Sequence, residues 1–234
     1  MPTRAVILPA KDCGATIPAV LAGIARWSAA RGERLHVVVV DDGTRIPLVV
    51  PDRVGACPVA VVRHDLNRGY GAAQKSGYAA ALAAGATQVA MLHGDGQYDT
   101  DDTLALLDAL PEGDVPAGAL GSRFLADPGV IPGWRRLGNR VLTGLANARY
   151  GVRHTELHTG ARAFTAAALR ALPLATYSDD YVFDQQVIVA CFRQGIPLAE
   201  GPVRVRYDGT VQSIPPGRAV RYALGCVRVI AFGP

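Results

Sequence analysis

The sequence predicts an α/β protein in which a mostly parallel sheet carries helices on both faces. Three observations predict it. Short apolar, β-branched runs alternate with segments of helical period. The connections between those runs are long enough for crossovers, which favours parallel pairing. Each run also ends in polar residues: Lys11 and Asp12, then Asp41 and Asp42, then Asn67, then His93 to Gln97. In an open parallel sheet the ligand lies beyond the carboxyl ends of the strands, so one site can explain all four endings.

The elements follow in order. Ala5 to Leu8 reads as a first strand, and Ile17 to about Ala29 as a helix with Thr16 as its N-cap. Leu35 to Val40 is the clearest strand, and Val59 to Val62 the third. Tyr70 or Gly71 to Ala84 reads as a helix and Gln88 to Leu92 as a fourth strand. Thr100 is expected to cap a helix reaching Ala109, and Gly118 to Leu120 is a short strand. Trp134 to Tyr150 is helical by pattern. A turn at residues 156–163 feeds another strand, and Ser178-Asp179-Asp180 precedes a helix from about Tyr181 to Gln194. Leu198 to Tyr207 is the last strand and Pro216 to Phe232 a basic, partly amphipathic helix. No repeat or linker divides the chain, so we expect a single domain over 1–234.

Composition limits the function. With 234 residues, 50% hydrophobic and 19% charged, the chain can bury a sizeable core and is not disordered. A net charge of +4 from scattered arginines speaks against nucleic acid and is compatible with a small anion such as a diphosphate. Cys13, Cys57, Cys191 and Cys226 form no CxxC pair, so reduced, buried thiols are expected rather than zinc or disulfides. The sequence shows no signal peptide and no membrane-length apolar run, which predicts a cytoplasmic protein.

The stretch Val89 to Asp102, VAMLHGDGQYDTDD, concentrates the chemistry. If it stays extended after the strand, alternation sets His93, Asp95 and Gln97 on one side, with Gly94 and Gly96 between them. A carboxylate with an amide oxygen suits Mg²⁺ or Mn²⁺, and an imidazole tilts the choice toward Mn²⁺ or another transition ion. The alternative is a polar turn whose Asp merely caps the next helix.

Taken together, VILPAKD, VVVVDDGT, NRGYGAAQKSGYAAA, MLHGDGQYDTDD, GSRF, HTGARAF, SDDYVFDQQV and IPLAEGPVRVRY resemble, in order and over nearly the whole chain, a family 2 glycosyltransferase with the Rossmann-like GT-A fold, of the dolichyl-phosphate mannose synthase-like branch. The resemblance implies a nucleotide and metal half at 1–122 and a sugar and acceptor half at 123–234. It implies that Pro9, Asp12, Asp41, Asp42 and Gly71 hold the nucleoside of a GDP-, UDP- or dTDP-sugar. It implies that Asp95, Gln97 and His93 hold Mn²⁺ or Mg²⁺ at the diphosphate, with Arg123, Arg135, Arg136 and Arg162 at phosphate oxygens. Asp180 is implied as the base of an inverting transfer, with His158 and His93 as further catalytic candidates. His93 departs from the family pattern, which has Asp at that position, and removes one negative charge from the metal motif.

Three readings remain open at this level. The first is a metal-dependent transferase acting on a sugar or polyprenyl-phosphate acceptor, with at most peripheral membrane contact through Arg218, Arg221 and Arg228. The second is a flavin-independent mutase that interconverts pyranose and furanose forms of the nucleotide sugar on the same scaffold. The third is an inactive nucleotide-sugar binder. A homo-oligomer is compatible with all three.

Overall fold

The computed structural model describes residues 3–127, 131–206 and 216–234, the first three of the last stretch as backbone only. A sheet of eight strands runs through it: β1 (Arg4–Ala10), β2 (His36–Asp42), β3 (Arg53–Val54), β4 (Cys57–His64), β5 (Gln88–Met91), β6 (Gly118–Ser122), β7 (Arg162–Thr165) and β8 (Leu198–Pro202). Their order is β3-β4-β2-β1-β5-β7-β6-β8. β1 pairs in parallel with β2 and β5, β2 with β4, and β6 with β8. β7 runs antiparallel to both of its neighbours, and β3 antiparallel to β4. The fold class read from the sequence is therefore the observed one, with a reversed strand in the second half.

The central strands are apolar on both faces because both faces are covered. Val6, Leu8, Val37 and Val39 pack under α1 (Ile17–Arg31), against Leu21, Ile24 and Trp27. Their alternate neighbours Ala5, Ile7, Val38 and Val40 pack on the other side with Tyr78 of α2 (Tyr70–Ala83) and with Phe183 and Val187 of a later helix. Each fully buried Leu, Ile or Phe contributes about 1.5–3 kcal/mol. Remaining helices are α3 (Thr100–Ala105), α4 (Arg123–Ala126), α5 (Gly133–Tyr150), α6 (Ala166–Ala171), α7 (Val182–Gln194) and α8 (Pro216–Phe232). Leu120, Ala146, Ile188, Val229 and Ile230 form a third cluster that joins α5, α7 and α8.

Several local expectations are corrected. Asp99, not Thr100, caps α3, accepting the Asp102 N–H at 3.1 Å. Thr16 stands at the N-cap of α1, as read, but its side chain makes no capping hydrogen bond; its hydroxyl donates to the Gly94 carbonyl at 2.8 Å and ties the helix to the loop after β5. The last strand stops at Pro202, after which Val205 pairs with Tyr98, and Tyr207 lies outside the described residues. The Arg218 side chain is also outside them. β3 and α6 are too short to leave a periodic signal. All four cysteines are free and buried, as their spacing predicts.

Candidate active site

Beyond the carboxyl ends of β1, β2 and β5 lies a cavity of about 640 Å³, closed on its far side by α5, the entry to α7, and α8. Of the residues singled out in the sequence, Pro9, Asp42, His93, Asp95, Gln97, Arg123, Arg135, His158 and Asp180 line it. Asp12, Asp41, Gly71, Arg136 and Arg162 do not, and geometry explains most of these.

Asp41 is 1% exposed, and its oxygens accept the N–H groups of Thr44 at 3.2 Å and Leu48 at 3.1 Å, with Arg63 at 3.3 Å. Burial raises its pKa, but those hydrogen bonds and the guanidinium outweigh it and hold the carboxyl below its ordinary value. It fastens the loop after β2. Asp12 is exposed, adopts a left-handed φ of 55°, and pairs with Lys11. Gly71 sits where α2 meets the loop before α7: its N–H donates to the Asp179 carbonyl at 2.8 Å, and a Cβ there would stand 2.4 Å from the Ser178 carbonyl oxygen. Gly71 is needed for close approach of backbone. Arg162 is 1% exposed and pairs with Asp184 at 2.8 Å. Nothing in the structure explains the position of Arg136.

Asp42 lines the cavity but is itself fully engaged. It accepts from His64 Nδ1 at 2.7 Å and from the N–H groups of Arg68 at 2.8 Å and Gly69 at 3.0 Å. These bonds shape the turn that starts α2 and brings Asn67 and Tyr70 to the cavity wall.

The loop after β5 is not extended. Gly96, at φ 71°, returns its N–H to the His93 carbonyl at 3.4 Å, and Asp95 Oδ1 accepts the Gln97 N–H at 2.9 Å. The alternation argument therefore fails, because two glycines permit a turn. His93, Asp95 and Gln97 still reach one cavity, but by a different route. Among the described residues no three His, Cys, Asp or Glu side chains converge closely enough to hold a cation unaided. One carboxylate, one imidazole and one amide make an open donor set that fits Mn²⁺ or Mg²⁺ arriving with phosphate oxygens of its own.

His93 is closely fitted. Its ring meets Tyr98 edge-on with centroids 5.0 Å apart and Tyr70 at 5.5 Å, and a Cβ on Gly160 would lie 2.2 Å from Nε2. Burial, joined by the Arg162 and Arg123 charges, lowers its pKa below the ordinary value, although Asp95 and Asp184 oppose this. Behind it stands a polar network that sequence reasoning missed. The Tyr70 hydroxyl is 3.0 Å from His93 Nε2 and donates to Asp184 Oδ2 at 3.1 Å, while Gln74 donates to Asp184 Oδ1 at 2.7 Å. Asp184 was legible only as a first-turn acid of α7.

On the opposite wall Arg123, 7% exposed, is bound to Glu156, 0% exposed, through its own N–H at 2.8 Å and Nε at 2.9 Å. Arg123 also donates to the His158 carbonyl at 2.8 Å, and Asn139 to Glu156 at 3.1 Å. The pair braces the HTGARAF turn against α4 and α5. His158 Nδ1 meets the Tyr222 hydroxyl of α8 at 2.9 Å; burial, with Arg123 and Arg162, lowers its pKa to about 3, so it is neutral. Asp180 is exposed at the entry to α7 and accepts only the Tyr181 N–H, at 2.8 Å, among the described hydrogen bonds to its side chain. With Asp95, it is one of two lining acids whose side chains accept a single described hydrogen bond, and it is the more exposed of the two.

An open α/β sheet of this order with a cavity over its first strands defines the GT-A class of glycosyltransferase domain. Solved structures agree: that of glucosyl-3-phosphoglycerate synthase from Mycobacterium tuberculosis, in complex with Mn²⁺, UDP and glucosyl-3-phosphoglycerate, superposes with a TM-score of 0.66 at 15% identity over 100% of this chain and 81% of that one. The same enzyme with phosphoglyceric acid gives 0.67 at 14% identity, covering 100% and 81%. Residues 5–172 match the glycosyl transferase family 2 profile, and the chain belongs to that family. Among curated relatives, glycosyltransferase AglJ of Haloferax volcanii is 32% identical over 57% of this chain and 44% of its own length. The low-salt glycan biosynthesis hexosyltransferase Agl6 of the same organism is 28% identical over 95% and 53%. This chain thus spans about half the length of those two relatives. An uncharacterised protein of Methanocaldococcus jannaschii is 30% identical over 74% of this chain and 70% of its own.

Proposed function

We propose that this chain transfers a glycosyl group, with inversion, from a nucleoside-diphosphate sugar to a polyprenyl phosphate, in the manner of the dolichyl-phosphate mannose synthase-like branch. The observation that carries the reading is the convergence of Asp95, His93, Gln97, Arg135 and Asp180 on one cavity at the carboxyl ends of the strands. Mn²⁺ and UDP in the related M. tuberculosis enzyme support a metal-dependent nucleotide donor.

In this reading Asp95, with His93 and Gln97, holds the cation. When bound, the cation supplies charge neutralisation for the departing nucleoside diphosphate. Arg135, which reaches the cavity from α5, adds a guanidinium for phosphate oxygens. Walls at buried Tyr98 and Leu142 and half-buried Tyr70 exclude water from the reacting centre.

The rim supports a lipid-linked acceptor. α5 and α8 carry no acidic residue, and both expose apolar side chains beside the cavity: Trp134 63%, Leu137 65%, Val141 54%, Val220 62% and Leu224 66%. Arginines flank them, including Arg135, Arg140, Arg221 and Arg228. Such a face suits an anionic headgroup region. Among the described residues no helix is long and apolar enough to cross a membrane, so contact through this chain is with the surface.

The acceptor determines what Asp180 does. A hydroxyl acceptor requires Asp180 as base, and D180N then loses about 10²–10⁴-fold in kcat. A phosphate acceptor has a second pKa of about 6 and arrives with its nucleophilic oxygen already deprotonated, so D180N keeps most of its activity.

The test is to incubate the protein with Mn²⁺ and a panel of UDP-, GDP- and dTDP-sugars, with and without polyprenyl phosphate in anionic liposomes. A lipid-linked sugar formed only in its presence supports the reading. A donor isomer of unchanged mass would instead show a mutase. EDTA-reversible donor binding with neither product would show a binder.

A further inference from the structure

The hydrogens in the network behind His93 can be assigned, and the assignment constrains what His93 can do. Asp184 is ion-paired with Arg162 Nη2 at 2.8 Å and accepts hydrogen bonds from Gln74 Nε2 at 2.7 Å and the Tyr70 hydroxyl at 3.1 Å. A carboxylate paired to a guanidinium has no hydrogen to return. The single hydrogen of the Tyr70 hydroxyl therefore goes to Asp184, and the Tyr70 oxygen can only accept from His93 Nε2, 3.0 Å away. The reverse assignment turns two acceptor oxygens on each other at 3.1 Å in a part-buried site, which adds repulsion to the loss of the hydrogen bond.

We propose that Tyr70 and Asp184 are positioning residues that lock His93 in the Nε2–H tautomer, so that Nδ1 is the only electron-pair donor of the ring and ligates a divalent cation together with Asp95. The cation half rests on the metal-dependent reading above; the tautomer half stands on the hydrogen bonds alone. Histidines that bind metals are oriented in this way, by giving their other N–H to a fixed acceptor. Here the acceptor is a tyrosine that is itself fixed by an acid. Gly160 completes the arrangement, since any side chain there would displace Nε2 from Tyr70. The chain thus carries, on α2 and α7, the support that an imidazole requires and a carboxylate at position 93 does not.

Long-range ¹H–¹⁵N correlation of ¹⁵N-histidine-labelled protein, without metal, reads the tautomer directly. A protonated Nε2 with a bare Nδ1 at His93 is expected, and a protonated Nδ1 overturns the proposal whether or not any variant folds. Y70F should release the tautomer and weaken Mn²⁺ binding about 10–100-fold by electron paramagnetic resonance in the presence of UDP. In an H93D background the same Y70F change should leave Mn²⁺ affinity within about twofold, because the coupled partner is gone. Equal losses in both backgrounds reduce Tyr70 to a packing residue and overturn the proposal. A wild-type protein with the expected tautomer that binds no Mn²⁺ overturns the cation half and the metal-dependent transfer reading while the tautomer lock stands.

Discussion

The floor and the rim of the cavity are built on opposite principles. In the buried support beneath and behind the cavity walls, taken together as its floor, Asp41, Asp42, Asp184 and Glu156 are each satisfied by two or more donors, and most of those donors are backbone N–H groups or buried side chains. On the rim, α5 and α8 present arginines and exposed apolar residues with no acid on either helix. Burial makes the first arrangement exacting, since an unpaired group has no water to turn to. The second stays adaptable because both kinds of side chain remain at the surface. Under the proposed function, a cavity that holds a diphosphate in one geometry, beside a surface that meets an acceptor in many, needs both.

That contrast predicts where substitutions hurt. The largest loss of stability should come from the floor. E156A removes the buried carboxylate that Arg123 binds through its N–H and Nε and should cost about 3–5 kcal/mol in urea unfolding. D42A strands His64 Nδ1 and the Arg68 N–H, while the Gly69 N–H keeps Asn67 Oδ1 at 3.0 Å, and should cost about 2–4 kcal/mol by the same measurement. If either variant unfolds like the wild type, the floor is not preorganised as described.

Next is D95A, which removes the one anionic side chain of the His93 to Gln97 turn. Turnover should fall about 10²–10³-fold, and metal-dependent donor binding should vanish in calorimetry. Fold stability should change little, because the Asp95 side chain serves one backbone N–H, that of Gln97, among the described hydrogen bonds. Full activity in D95A would remove Asp95 from the site.

The floor also makes stability depend on pH. Burial lowers the His158 pKa to about 3, with Arg123 and Arg162 adding to it. The unfolded chain, with a histidine pKa of about 6.5, binds the proton that the folded chain refuses. Stability is therefore full above about pH 6.5 and falls as pH drops toward about 3, by about 1.4 kcal/mol per pH unit for this group. His93 shifts in the same direction through burial and adds to the slope. Urea midpoints between pH 4 and 7 should show the slope, and H158Q should reduce it by one proton. An unchanged slope in H158Q would mean that the ring is solvated.

The sequence made the strands and most helices legible because both-face burial leaves runs such as Leu35 to Val40 and because crossovers keep the spacing regular. It also located the cavity, since polar residues after successive parallel strands must meet. It did not reveal which acids are used internally. Asp41 and Asp42 are adjacent and alike in sequence, yet only Asp42 reaches the cavity, because alternate residues of a strand face opposite ways. Tyr70, Glu156 and Asp184 were visible as residues but not as partners, since Tyr70 and Asp184 meet across 114 positions of chain. The turn at His93 to Gln97 was misread as extended because glycine permits either form, and local pattern cannot decide between them.

The rim should show the smallest effects in the test tube and the most selective ones. Each arginine near an anionic surface contributes about 1 kcal/mol, screened by salt. R140E and R221E together should therefore weaken binding to phosphatidylglycerol vesicles by more than tenfold, because each reverses a charge, while leaving binding to neutral vesicles unchanged. L137S with L224S should weaken both, since apolar contact does not depend on lipid charge. Unfolding free energies should stay within about 0.5 kcal/mol of wild type, because these side chains are exposed in the fold. Donor hydrolysis without acceptor should also be unaffected. A rim double variant that loses donor hydrolysis would show α5 and α8 shaping the cavity itself, and the division between floor and rim would then be wrong. If vesicle binding is instead unchanged in both double variants, the acceptor is not delivered from an anionic surface, and a water-soluble hydroxyl acceptor with Asp180 as its base becomes the reading to pursue.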